Sequence, residues 1–130
     1  MPSHDASQPS SLPDRPLRIL VADDEPMIVK ALERLLRRRG HVVDTAPDAY
    51  GALAFLEEHR YDAVMVDARM PGDGRSVLAR LEEMSFPGVR VLMTGGVAAD
   101  TGEVQDQVRH LHKPFRFPSV IPLVEGSPPT

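Results

Sequence analysis

The stretch Leu17 to Asp24, LRILVADD, decides the fold. A run that is apolar except for Arg18 leads directly into two carboxylates. A short apolar run of this kind, closed by polar residues, reads as a strand buried on both faces. Outward from it the same pattern returns. AVMV precedes Asp67, VRVLM precedes Thr94, and the brief RHLH precedes Lys113 and Pro114. Each run delivers a polar, chemically useful side chain at its carboxyl end.

Helical signals fill the intervals. Pro26 suits the first turn of a helix, where its missing N–H costs nothing. Ile28, Ala31, Leu32 and Leu35 then form an apolar stripe, and Gly40 predicts a left-handed C-cap. His41–Ala46 reads as the second strand. Pro47 to about His59 reads as the second helix, with Ala49, Ala52, Leu53 and Leu56 on one face. Ala63–Asp67 is the third strand. Pro71-Gly72-Asp73-Gly74 is a tight loop, after which Ser76 is expected to cap a third helix with Val77, Leu78, Leu81 and Met84 inward. Val89–Thr94 is the fourth strand, and Gly95-Gly96 starts a loop. Asp100 with Glu103 resembles a capping box opening a weak fourth helix, in which Val104 and Val108 are the apolar pair. Arg109–His112 is a short fifth strand. Pro122 permits a last helix only if it starts near Ser119, so that helix has one or two turns.

Strands alternating with helices imply right-handed βαβ units and a parallel sheet. The predicted fold is therefore α/β, a doubly wound five-stranded parallel sheet of order 2-1-3-4-5 with shortened fourth and fifth helices. Its switch point lies between strands 1 and 3, at the carboxyl edge where such sheets bind ligands. Asp23, Asp24, Asp67, Thr94 and Lys113 converge there. Three carboxylates, a hydroxyl and an ammonium suit a hard cation and a phosphoryl group. An open site with few oxygen ligands fits Mg²⁺ better than a calcium cage. Asp67, at the centre, can act as a nucleophile and form an aspartyl phosphate. Lys113 would contribute a point charge and Thr94 a hydrogen bond.

Bulk properties are consistent with one domain. The chain has 130 residues, no cysteine, and a formal charge of −4 from 15 basic and 19 acidic side chains. Disulfides and thiolate metal sites are excluded, and the charge argues against direct nucleic-acid binding. No run approaches membrane-span length and no signal peptide opens the chain, so a cytoplasmic location is expected. Residues 1–16, rich in Pro, Ser and Asp, read as a disordered tail or linker, and 125–130 as a C-terminal tail, leaving 17–124 as the folded domain. No effector module is expected after residue 125, so output would pass through protein contacts or a parent chain.

The segments ILVADDEP, AVMVDARMPGDG, VLMTGG and LHKPF, in that order, resemble the receiver domain of two-component response regulators, over about residues 17–121. The resemblance implies a flavodoxin-like receiver fold and a signalling domain, not an enzyme acting on an external substrate. It would catalyse its own phosphoryl transfer and slow dephosphorylation. It implies Asp67 as phospho-acceptor, Asp24 as a direct Mg²⁺ ligand, Asp23 acting through water, and the backbone carbonyl of Arg69 completing the metal's protein ligands. Thr94 and Lys113 would engage the phosphoryl group, and the Lys113–Pro114 bond would be cis. The donor would be a histidine kinase or a histidine phosphotransfer domain. The stretch from TGG to LHKPF looks closer to receivers attached to hybrid histidine kinases than to those preceding DNA-binding domains. His110 stands where the family commonly has an aromatic switch residue, so Thr94 and His110 are the implied switch pair. MPGDG is one residue shorter than the family's usual loop. The segment from Thr94 to Lys113 is short by about one helical turn. The short final helix implies a monomer or weak dimer.

Other readings are less well supported. A haloacid-dehalogenase-type phosphatase needs an acid two positions after its nucleophile, where this chain has Arg69. A flavodoxin-like cofactor site needs a phosphate-cradling loop after strand 1, and ADDEP would repel a phosphate. A receiver-like interaction scaffold, not switched by phosphorylation, is the remaining alternative. His110 and His112 share a strand face but lack a third metal ligand, and His41 and His59 have no useful spacing. Arg37-Arg38-Arg39 reads as a solvated helix face.

Overall fold

The computed structural model describes residues 15–95 and 107–126. Five strands form one parallel sheet: β1 (Arg18–Ala22), β2 (Val42–Ala46), β3 (Ala63–Asp67), β4 (Val89–Thr94) and β5 (Val108–His112). Their order is β2-β1-β3-β4-β5, as the alternating pattern predicts. Among the described residues there are four α-helices: α1 (Pro26–Arg38), α2 (Ala49–Glu58), α3 (Gly74–Glu83) and the short α4 (Val120–Glu125), which follows a 3-10 turn at Phe117–Ser119.

The two faces of the sheet explain the apolar runs. Alternate strand residues point to opposite sides. Leu20, Ala22, Val64, Val66, Leu92 and Val108 pack against α2 and α3 through Ala52, Leu56, Val77 and Leu81. Ile19, Val21, Met65, Val91, Met93 and Leu111 pack on the other side against Leu32, Leu36, Val120 and Val124 of α1 and α4. Strands β1, β3 and β4 are covered on both faces, which is why they read as continuous apolar runs.

Local chemistry sets the helix ends. Gly40 is left-handed at φ 92°. Its N–H donates to Arg37 O at 2.9 Å, and the His41 N–H donates to Leu36 O at 3.2 Å. This is a Schellman closure, and it confirms the predicted C-cap. Asp48 caps α2 by accepting from the Gly51 N–H at 2.7 Å.

Several elements differ from the sequence expectation. Asp73, not Ser76, caps α3: its carboxylate accepts from the Arg75 N–H at 2.9 Å, while the Ser76 hydroxyl donates back to Asp73 O at 2.8 Å. The helix ends at Glu83, so Met84 is its C-cap and is exposed rather than inward. Val108 opens β5 instead of closing a helix. The capping box at Asp100 and Glu103, with Gly96 and Val104, lies outside the described residues. At the amino end, Arg15 pairs with Asp62 at 3.1 Å.

The end of the sheet opposite the carboxyl edge holds a second polar cluster. Arg39, expected in a solvated run, instead donates Nε and a terminal nitrogen to Glu125 at 2.8 and 2.6 Å. Glu125, expected in a tail, is the last residue of α4. His41 is buried with Nε2 2.8 Å from Glu125 Oε2. The Leu17 N–H donates to His41 Nδ1 at 3.0 Å. Nδ1 is therefore the acceptor, and the proton on Nε2 donates to Glu125.

Candidate functional site

The carboxyl edge gathers the predicted residues. Asp23 follows β1 and is buried, with its N–H donating to Ala46 O at 3.0 Å. The Glu25 N–H donates to Asp23 Oδ1 at 3.0 Å and fixes the carboxylate's orientation. Asp67 ends β3 and is also buried, while Asp24 is exposed on the rim. One oxygen from each of these three carboxylates can be chosen so that all lie within 4.8 Å of one another.

Lys113, directly after β5, reaches over the ends of the intervening strands into this cluster. Its Nζ stands 2.8 Å from Asp23 Oδ2, 3.3 Å from Glu25 Oε1 and 3.6 Å from Asp67 Oδ2. A backbone hydrogen bond holds the residue in place. The Lys113 N–H donates to Thr94 O at 2.6 Å, and the Lys113–Pro114 bond is cis, as the resemblance implies. Thr94 is buried at the end of β4. His110 pairs with Leu92 in the β4–β5 ladder, two residues back from the edge, and is exposed.

The loop after Asp67 is tightly built. Gly72 and Asp73 are consecutive left-handed residues, at φ 85° and 68°. The Asp73 N–H donates to Met70 O at 2.8 Å, and the Ala49 N–H at the start of α2 donates to Pro71 O at 2.9 Å. The turn brings Gly74 onto the Asp67 backbone: a Cβ at Gly74 would lie 2.0 Å from Asp67 O. Only glycine permits that approach. The Arg69 N–H faces Asp67 Oδ1 at 3.4 Å, a long contact.

The electrostatics follow from burial and crowding. Burial, and then the neighbouring Asp23, push the Asp67 carboxyl up to about 6, against the opposing pull of Lys113. Burial depresses Lys113, but its hydrogen bond and attraction to Asp23 outweigh that and raise it above the ordinary lysine value. The donor set is all oxygen and carries more negative charge than one ammonium offsets. It fits a hard divalent cation.

Residues 19–124 match the family model of the response regulator receiver domain. The chain belongs to that family. This receiver domain is 39% identical over 108 residues to the transcriptional regulatory protein TcrA of Mycobacterium tuberculosis, covering 78% of the chain and 42% of TcrA. It is 39% identical over 87 residues to the sensory/regulatory protein RpfC of Xanthomonas campestris, covering 66% of the chain and 12% of RpfC. The chain thus spans less than half the length of these curated relatives. Among solved structures, a response regulator receiver protein from Sinorhizobium medicae superposes with a TM-score of 0.75 at 28% identity, covering 85% of this chain and 92% of that one. The response regulator TrrA from Thermotoga maritima, solved with Mg²⁺ and BeF, superposes with a TM-score of 0.70 at 30% identity, covering 80% and 92%. Among the described residues, no helix is long and apolar enough to cross a membrane.

The sequence reading identified Asp23, Asp24, Asp67, Thr94 and Lys113, and the fold brings all five to one edge. Glu25 is not among them. Glu25 is the N-cap of α1, yet its side chain makes no capping bond and turns to Lys113. Its place next to the aspartate pair was the one available signal.

Proposed function

We propose that this receiver accepts a phosphoryl group on Asp67 from a phosphohistidine of a histidine kinase or phosphotransfer domain, and that the modified form is its signalling state. The observation that carries this reading is the position of Asp67. It is a buried carboxylate on the central strand, within reach of both a second carboxylate and an ammonium. In the transfer, one Asp67 oxygen attacks phosphorus, the P–N bond to the donor imidazole breaks, and the imidazole leaves with the electron pair. Asp67 attacks ionised, which its elevated titration near 6 permits at neutral pH.

Mg²⁺, held directly by Asp24 and Asp67, by Asp23 through water, and by the Arg69 carbonyl, would supply charge neutralisation at the phosphoryl oxygens. Lys113 moves its ammonium from Asp23 towards the phosphoryl group. The Thr94 hydroxyl donates to a phosphoryl oxygen and draws the β4 end with it, and His110 changes its environment in response. Water later hydrolyses the aspartyl phosphate and resets the domain. The domain works in the cytoplasm as a monomer or weak dimer and makes its output through protein contacts, without touching nucleic acid itself.

Amide NMR with Mg²⁺ and then beryllofluoride, a phosphoryl mimic, tests this. Mg²⁺ should first shift residues 23–25 and 67–69, and beryllofluoride should then shift Thr94 and Lys113. Shifts confined to His110 and His112 would contradict the assignment.

A further inference from the structure

We infer that Glu25 is a positioning residue that competes with the phosphoryl group for Lys113. This inference rests on the proposed phosphorylation at Asp67. Three carboxylates share the Lys113 ammonium, and they differ in what they do on phosphorylation. Asp23 and Asp67 are buried ligands of the phosphoryl and metal site itself. Glu25 is not: its side chain is 56% exposed and approaches Nζ from the solvent side at 3.3 Å.

Two independent features place it there. The Glu25 backbone is pinned, because its N–H donates to Asp23 Oδ1 at 3.0 Å and its carbonyl accepts from the Ile28 and Val29 N–H groups at 3.1 Å each. Its carboxylate is also free of the usual duty of an N-cap side chain, since it makes no bond to the α1 backbone. The N-cap conformation, φ −97° and ψ 106°, instead accompanies a side chain whose contact lies along the same carboxyl edge, on Lys113 after β5. A lysine ammonium is a mobile point charge on a flexible stem. It must leave its resting partners to meet a phosphoryl oxygen on Asp67, and Glu25 opposes that movement by offering a full negative charge on the outer side. The contact holds the resting state against adventitious small-molecule phosphodonors and limits how firmly Lys113 grips the phosphoryl group once it is present.

The test is a beryllofluoride titration of the whole chain in excess Mg²⁺, followed by calorimetry and by the Thr94 amide. Wild type is compared with Glu25→Gln and Glu25→Asp. The glutamine removes the charge. The aspartate keeps the charge but is too short to hold Lys113. Both variants should bind beryllofluoride about two- to fivefold more tightly, the range expected for releasing a partly exposed ion pair. Tightening by Glu25→Gln alone, with Glu25→Asp like wild type, would mean simple long-range repulsion and would overturn the inference. Unchanged or weaker binding in both would overturn it as well. If wild type itself bound no beryllofluoride, the proposed phosphorylation site would fall and this inference with it. Unchanged urea midpoints in the three proteins would show that the affinity change is not a folding effect.

Discussion

Lys113 Nζ stands 2.8 Å from Asp23 Oδ2, joining the end of β5 to the end of β1 across the carboxyl edge of the sheet. Both side chains are largely removed from water, at 13% and 0% exposure. Removing one partner of such a pair leaves an uncompensated buried charge. Lys113→Ala should therefore destabilise the domain by about 2–4 kcal/mol in EDTA. Mg²⁺ should restore a good part of that loss, because a divalent cation can neutralise the same carboxylates. Urea unfolding of both proteins, with and without Mg²⁺, checks this. An equal penalty in both conditions would contradict it.

Asp67 should be a site where function opposes stability. Its carboxyl titrates near 6 in the folded domain, raised by burial and by Asp23, against an ordinary value near 4. The folded state therefore holds this proton more tightly than the unfolded chain does. The associated stability is complete below about pH 4 and is lost as pH rises through about 6. Without metal, Asp67→Asn should be more stable than wild type by about 2–3 kcal/mol near pH 7.5, with the difference vanishing below about pH 4. Denaturation midpoints across that range are the measurement.

The cluster of Arg39, His41 and Glu125 fastens α4 to the rest of the domain. Burial raises the Glu125 carboxyl, but hydrogen bonds from Arg39 and His41 outweigh it and hold it below the ordinary glutamate range. Its stabilisation is present above the unfolded value and is lost as pH falls through the folded one. Glu125→Ala should cost about 2–3 kcal/mol near pH 7, because it removes the carboxylate that accepts from Arg39 and from the buried His41 Nε2–H. Hydrogen exchange should show faster opening of residues 117–125, with β3 and β4 unaffected.

Gly74→Ala should disturb the acceptor directly. The new Cβ would meet Asp67 O at 2.0 Å, which backbone atoms cannot yield to cheaply. A loss of about 1–3 kcal/mol is expected, with weakened beryllofluoride binding. A variant with wild-type stability and binding would show that the loop relaxes freely.

How far the fold was legible depended on where each element's interactions lie. Strands β3 and β4 were readable to the residue because AVMVD and VRVLMT are buried throughout and end in polar turns. Val108 was misassigned because β5 is an edge strand, with a mixed polar pattern and only one neighbour. Ser76 looked like the better cap, but the left-handed turn at Gly72 and Asp73 starts α3 three residues sooner than Ser76 could. Met84 kept the helical spacing but falls just past the helix end. The convergence of the five site residues followed from topology alone. Partners such as Glu25 for Lys113, or Arg39 and His41 for Glu125, did not, because they depend on side-chain reach between segments far apart in the chain.

Intact mass after incubation with phosphoramidate and Mg²⁺ tests the central claim most directly. Wild type should gain a single phosphoryl group, and the gain should be absent with EDTA and absent in Asp67→Asn. Equal labelling of wild type and Asp67→Asn would contradict the assignment of Asp67 as the phospho-acceptor.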